Sequence, residues 1–458
     1  MLGKVFDRFV EKSPISVMVR GTLERVLGAA QLDAWFARTA QKQYTRTVLF
    51  STVYDILSQV VFRIKPSVRA AYRDHADQVG ASLISLYNKL NGVETHTSAE
   101  LVRYSAAELR PLIAQLNGQR SPWLPGYRVK ILDGNCIEAS ERRLKVLRGV
   151  QAGALPGKSL VVYEPAHGLV SDVFPCEDGH AQERSLLGLV LETVQAHDLW
   201  IQDRNFCTCA FLCAIDSRGA SFITRQHEGL PFEIVSRLCS VGRIETGRVA
   251  EQRVQVRDAQ GGTHLFRRIR VQLDQATRDG DRVLYLLTNV PLRKASAKRV
   301  ARLYRKRWTL ETAFQHLEAY FHSEINTLGY PKAALFGFCL ALVAYNMLAV
   351  VLAALRSVHG DAIDQELSLY YVANDVAQTY HGMMIAIPED EWRVFSHMRP
   401  AEMVATLQAL AQKVRLEAYR KSPRGPKKPQ PKRENTTKAP HVSTAKLLRN
   451  RQVNAATP

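Results

Sequence analysis

The chain has 458 residues, 46% of them hydrophobic and 23% charged, and a formal net charge of +19. That length supports at least one large core, and ordinary counts of 26 Gly and 19 Pro exclude a collagen or a low-complexity chain. Seven cysteines scattered through so long a sequence do not read as a disulfide framework and point to a reducing compartment. The charge calls for a polyanionic partner, either nucleic acid or an anionic membrane surface. It is uneven: residues 413–458 hold thirteen Lys and Arg against two Glu, a net of +11. Residues 1–18 mix charged and apolar residues without the apolar centre of a secretory signal.

Residues 1–125 read as helices with short connectors. Apolar spacing predicts helices over 27–40, 47–62 and 67–90, and another opening at Ser98. Basic residues from Arg20 to Arg73 suit a DNA-binding helical domain, or equally an ordinary helical domain with solvated basic faces. No clean helix-turn-helix spacing is present. Near Pro125 the pattern changes. Strands are predicted over 127–137, 159–163 and 169–174, then a helix over 182–195 and a strand over 199–202 ending at Asp203. A helix over 206–215 and a strand over 221–224 follow. This order predicts an α/β fold: a three-strand meander extended by helix-crossed parallel strands.

Residues 232–288 are strand-like again, alternating over 248–256, 264–273 and 282–287. Turns fall at Gly261-Gly262 and at Asp279-Gly280-Asp281, as in a β-rich insertion. Residues 296–321 are helical. Residues 333–355 carry no formal charge and are long enough to span a bilayer. Tyr345 and Asn346 lie in the middle and no second such stretch exists, so a buried helix is expected, with a membrane span as the alternative. Residues 360–412 are mixed and could serve dimerisation. Residues 413–458 are expected to be a disordered basic tail that adds non-specific DNA affinity.

Three carboxylates stand out. Asp133 lies within a predicted core strand, where a charge is costly unless it is paired or binds a cation. Asp203 ends a later strand, the place where ligands bind in α/β sheets. Glu311 sits in a predicted helix. Together they would make an oxygen-only site suited to Mg²⁺ or Mn²⁺ and unlike a zinc cage. Two such ions could activate a water and stabilise the leaving oxygen of a phosphodiester. Each residue also has a plainer reading: a turn residue before Gly134, a helix N-cap ahead of Phe206, and a solvated helix residue.

Tyr304, Arg307 and Glu311 have the spacing Y-x2-R-x3-E, with Trp308 and Phe314 alongside. This resembles the signature helix of the IS4-type transposases, a branch of the DDE transposases. The LLTNV segment at 286–290 resembles the strand before that helix. Asp133-Gly134 and Asp203-Arg204 resemble the family's first and second Asp motifs, with Asn135 and Asn205 as departures. The resemblance implies an RNase H-like mixed sheet with a β-rich insertion, preceded by a helical N-terminal domain. It implies Asp133, Asp203 and Glu311 as catalytic metal ligands for two Mg²⁺ (Mn²⁺ also serving). It also implies DNA contacts from Tyr304, Arg307, Arg204 and Lys306. The partners would be double-stranded DNA, as terminal inverted repeats and target, and a second copy of the chain in a synaptic homodimer. A cytoplasmic, nucleoid-associated location in a bacterium would follow.

The expected domains are 1–125, a catalytic core over 126–231 and 291–359 interrupted by the insertion at 232–290, then 360–412 and the tail 413–458. Two departures matter. Glu318 stands where the family often has Lys, so it either joins the metal site or is solvated; the second is preferred. The insertion has no Trp, leaving Phe232, Phe266 and Tyr285 to stack on a base or simply fill a core. Cys207, Cys209 and Cys213 lack metal-ligand spacing and are expected in the core. His316 and His322 receive no role, and no Walker A or G-x-G-x-x-G motif is present. The alternatives to a transposase are a nuclease of the same fold without strand transfer, an inactive transposase-derived DNA-binding protein, and a single-span membrane protein.

Overall fold

The computed structural model describes residues 2–43, 47–277, 280–422 and 440–456. Its N-terminal region is helical, as the apolar spacing predicts. The main helices are Pro14–Leu27, Ala29–Thr39, Phe50–Val61, Leu83–Gly92 and Thr95–Gln115. The predicted 67–90 helix is broken into Val68–Asp74, Ala76–Val79 and Leu83–Gly92. Gly80 takes a left-handed φ of +61°, and Ser82 then accepts the backbone N–H of Ser85 to cap a new helix.

This region does not stand alone. It shares one hydrophobic core with the long helix Pro331–His359 and with helices Leu369–Ala386, Glu389–His397 and Pro400–Gln412. Phe6 meets Trp392 edge-on at 4.9 Å, and Phe50 lies between Phe36 and Phe336. Some of the basic residues that suggested a DNA-facing surface are spent inside. Arg20 is buried and pairs with Glu24 at 2.8 Å. Arg25 donates to the carbonyls of Ser396 and Met398, and Arg63 to those of Glu318 and Phe321.

The uncharged stretch forms helix Pro331–His359, the one described helix apolar and long enough to cross a membrane, with 89% of its apolar window buried inside the protein. Asn346 explains how a polar residue survives there. Its amide accepts the Val170 N–H at 2.8 Å and donates to the Val170 carbonyl at 2.9 Å, satisfying the edge strand it packs on.

The strands are β1 (Arg128–Cys136), β2 (Gly153–Leu155), β3 (Lys158–Glu164), β4 (Leu169–Cys176), β5 (Asp198–Gln202), β6 (Ser221–Arg225), β7 (Glu233–Ile234), β8 (Cys239–Ile244), β9 (Gly247–Arg257), β10 (Thr263–Leu273), β11 (Val283–Thr288) and β12 (His441–Ser443). The described residues build one ten-stranded sheet in the order β4-β3-β1-β5-β6-β11-β10-β9-β7, with β8 also on β9. β1, β3 and β4 form the antiparallel meander, and β5 and β6 add parallel to β1. This is the RNase H-like mixed sheet expected, preceded by its helical region.

The β-rich insertion is not a separate body. β11 pairs with β6, and the β9–β10 hairpin extends the same sheet. Its turn is the predicted one, with Gly261 at φ +85°; Asp279 of the second predicted turn lies outside the described residues. Phe266 is fully buried and edge-on to Phe222 at 4.9 Å, so it fills the core.

Two further differences concern boundaries. The predicted 182–195 helix shrinks to a 3-10 turn Glu183–Leu186 and a short helix Leu187–Glu192. In the basic tail, His441–Ser443 pairs parallel with β2, and Thr444–Ala456 is helical. Composition predicted disorder there, but Val442 and Leu447 belong to a short apolar segment that docking can order. The most proline- and lysine-rich part of the tail, 423–439, lies outside the described residues.

Candidate active site

The register of the parallel strands places the two Asp side by side. Leu132 of β1 pairs with Gln202 of β5, and Gln202 with Thr224 of β6. One residue further on come Asp133, Asp203 and Arg225, where β5 and β6 end and β1 continues to Cys136 against β3 alone. Because side chains alternate along a strand, Asp133 lies on the face of Ile131, the face that helix Trp308–Tyr320 covers through Leu310 and Ala313. Asp203 leads into the 3-10 turn Arg204–Phe206 through its backbone carbonyl, and its carboxylate makes no cap hydrogen bond. Its carbonyl also accepts the Thr224 hydroxyl at 3.1 Å, which holds the loop on β6.

The predicted signature helix is two helices, Ala297–Arg305 and Trp308–Tyr320. The N–H groups of Lys306 and Arg307 bond three residues back, to Leu303 and Tyr304. No Gly or Pro marks this break. It coincides with Arg307, whose guanidinium bridges the site: one nitrogen donates to Asp133 Oδ2 at 2.6 Å and another to Glu311 Oε1 at 2.7 Å. Burial works against the charge of Arg307, but Asp133, Asp203, Tyr304 and Glu311 around it hold it firmly protonated. Burial raises the Asp133 carboxyl to about 6 despite Arg307, with Asp203 and Glu311 adding repulsion. Tyr304 is buried as well; burial and then Asp203 push its hydroxyl above the usual range. The three carboxylates therefore share one electrostatic environment.

Residues 125–347 match the family described as the transposase DDE domain. Over these residues the chain is similar to that family. No curated protein matches the chain. Among solved structures, it is similar to the piggyBac transposase synaptic complex with hairpin DNA, at 10% identity and a TM-score of 0.38, covering 85% of this chain and 86% of that one.

Asp133, Asp203 and Glu311 would make an all-oxygen donor set, of the kind that fits a hard divalent cation. Among the described residues, no group of three His, Cys, Asp or Glu is gathered at ligating distance. Arg307 supplies the positive charge between Asp133 and Glu311 instead. Cys207 and Cys213 are buried, and the Cys209 and Cys213 sulfurs lie 3.9 Å apart. Glu318 is exposed on the signature helix, as a solvated residue would be. A cavity of about 730 Å³ lies on another flank of that helix, beside Thr309, Ala313 and His316.

Of the residues expected to meet DNA, Tyr304 and Arg307 are buried and turned to the carboxylates. Arg204 and Lys306 are exposed, Lys306 over the Trp123 ring at 4.6 Å. Trp308 is 48% exposed at the helix break, rather than packed on the sheet.

One residue that sequence reasoning passed over, Glu183, belongs to the site's frame. Glu183 accepts the Asn205 amide at 2.6 Å, so the unusual Asn after the second Asp motif braces the Asp203 loop. The same carboxylate lies against Gly134: a Cβ there would come within 2.2 Å of Glu183 Oε1, so the Gly after Asp133 leaves room for this brace. Nothing in the sequence near Glu183 marks it, because its role depends on two loops meeting.

Glu324 sits beyond the signature helix and accepts the Glu138 N–H. Burial raises its carboxyl to about 7, with Glu138 and Glu318 adding repulsion. An acid whose folded pKa is raised stabilises the fold below its unfolded pKa and loses that contribution as pH climbs through the folded value. Glu324→Gln should therefore leave stability unchanged at pH 4 and raise it by on the order of 2 kcal/mol at pH 8, allowing for partial solvent screening. Urea denaturation at the two pH values checks this; equal gains at both would show that the carboxyl does not titrate there.

Proposed function

We propose that this chain is a DNA transposase that cleaves DNA at terminal inverted repeats and joins the freed 3′-hydroxyl to target DNA, using divalent metal ions. The observation that carries the reading is the convergence of Asp133 and Asp203, side by side on adjacent parallel strands, with Glu311 across the shared Arg307. Asp133, Asp203 and Glu311 would hold the Mg²⁺ or Mn²⁺, which when bound activates the attacking oxygen and stabilises the leaving one.

The chain's own groups do the rest. Arg307 keeps the Asp133 and Glu311 carboxylates from swinging apart and lowers the cost of their charge. Tyr304 walls the site behind Asp203 and excludes water from that side. Arg204 and Lys306 lie exposed beside it, where their charges would meet phosphates of the bound strand. Hydrolysis breaks the bond between phosphorus and the 3′-oxygen, leaving a 3′-hydroxyl. In the second step that hydroxyl attacks a target phosphodiester and displaces another 3′-oxygen. A homodimer holding two ends would couple the two joinings. The charges of 423–439, six Lys and Arg against one Glu, would add sequence-independent affinity.

The test uses the full chain, Mg²⁺, a labelled duplex ending in the inverted repeats that flank its gene, and a supercoiled plasmid. Labelled strand joined to plasmid is the expected product. Nicking without joining would reduce the reading to a nuclease, and neither product would sink it.

A further inference from the structure

Strand β10 carries the run Arg267, Arg268, Ile269 and Arg270, and alternation sends its arginines to opposite faces. Arg267 is spent on structure: it pairs with Glu251 and donates to the carbonyls of Val290 and Ala295 at 2.7 and 2.8 Å. Arg268 and Arg270 share the other face and have no carboxylate partner among the described residues. Arg268 lies over the Tyr285 ring at 3.7 Å and the Phe232 ring at 5.0 Å, with Gln226 accepting its Nε–H at 2.7 Å. Arg270 pairs in register with Tyr285, and its Nε is buried without a hydrogen-bond partner. Two adjacent guanidiniums, half-buried and unneutralised, are costly to hold in place. Burial and then the neighbouring Arg270 both work against the Arg268 charge.

Their place in the sheet says what could relieve that cost. Gln202, Thr224, Leu287 and Arg268 lie in one register row with Leu132, so both arginines sit at the level of the Asp203 loop but on the sheet face opposite that of Ile131 and Asp133. Four strand spacings separate β10 from β1, about 19 Å. A DNA strand advances about 3.4 Å per nucleotide, so this equals roughly five or six nucleotides. Arg204 and Arg225 lie between, and Arg225 is already paired with Asp281 at 2.7 Å.

We infer that Arg268 and Arg270, with Arg268 held flat on Tyr285 and Phe232, form a phosphate-binding site for the DNA backbone on the sheet face opposite Asp133, at least five or six nucleotides from the Asp133–Asp203 end of the sheet. Phe232 and Tyr285 thus serve as the seat of an arginine, where the sequence suggested either base stacking or core. The inference rests on the transposase reading, but its test does not need cleavage.

The full chain, without divalent metal, is titrated with a duplex of arbitrary sequence over a range of salt. Arg268→Gln and Arg270→Gln should each flatten the log–log salt slope by about 0.9, and the double variant by about twice that. Arg270→Lys should restore the slope, and Arg393→Gln, an exposed charge on another helix, should leave it unchanged. Far-UV circular dichroism checks that each variant is folded. Inorganic phosphate at millimolar concentration should compete only weakly; full competition by it would mean a free-anion site and overturn the DNA assignment. Unchanged slopes in folded variants would overturn the inference while leaving the transposase reading intact. Absence of DNA binding by the unsubstituted chain would overturn both.

Discussion

Asp133→Asn, Asp203→Asn and Glu311→Gln are each expected to lower the nicking rate by about two to three orders of magnitude, the scale seen when one group that stabilises a transition state is removed. The fold should survive. Each replacement keeps the shape of the side chain, and each removes one negative charge from a cluster in which burial and mutual repulsion already hold Asp133 at about 6. In Asp133→Asn and in Glu311→Gln the new side-chain amide would still present an oxygen to Arg307. DNA retardation in a gel should therefore persist while Mg²⁺-dependent nicking disappears. Glu318→Gln should nick almost normally, since Glu318 is exposed and its backbone carbonyl, not its carboxylate, is what Arg63 binds. A variant among the three that nicks at the unmodified rate removes that residue from the site. Loss in Glu318→Gln as deep as in Glu311→Gln would bring Glu318 into it.

Arg307→Met should destabilise the fold by about 3–5 kcal/mol, the usual cost of removing one partner of a buried ion pair. Its guanidinium is nearly inaccessible and answers two carboxylates at once. Without it, Asp133 would be left buried beside Asp203 and Glu311 with no cation. The pH dependence has a definite sign. Removing Arg307 raises the Asp133 pKa above its present value of about 6, so protonation relieves the strain and the loss should shrink as pH falls. Adding Asp133→Asn to Arg307→Met should recover part of the stability, because the orphaned charge is gone. Denaturant titrations of the four proteins form a double-mutant cycle. Strict additivity would mean that the two side chains are not coupled and that the bridge is not a structural element of the site.

Most of the fold class was legible from local pattern. Alternation and turn residues marked β1, β3, β4, β5 and β6 in order, and the run from Tyr304 to Glu311 marked a helical segment, which the structure divides in two. Such signals are local: a strand shows its period of two, and a charged residue inside one shows itself by its cost. The Asp133–Asp203–Glu311 set was reached the same way, each residue flagged by its own surroundings and then joined to the others by resemblance to a family.

Other features needed distant parts of the chain to meet. The break at Arg307 has no local signal, and it falls where one guanidinium reaches carboxylates on a strand and on a helix. The brace from Glu183 to Asn205 and the space it needs at Gly134 join two turns and a strand. The N-terminal region read as a domain of its own, yet its apolar faces complete a core with Pro331–His359 and the C-terminal helices. Composition cannot show that, because an amphipathic helix does not announce its partner. Composition likewise marked His441–Ser443 as disordered tail, although pairing with β2 supplies the backbone hydrogen bonds that a short polar segment cannot make alone. Sequence by itself determined which residue types could hold a cation and which segments could be strands. Tertiary structure alone decided which arginines are spent within the protein and which, like Arg268 and Arg270, are left with charge to offer, since neutralisation depends on what lies within a few ångströms and not on what lies nearby in sequence.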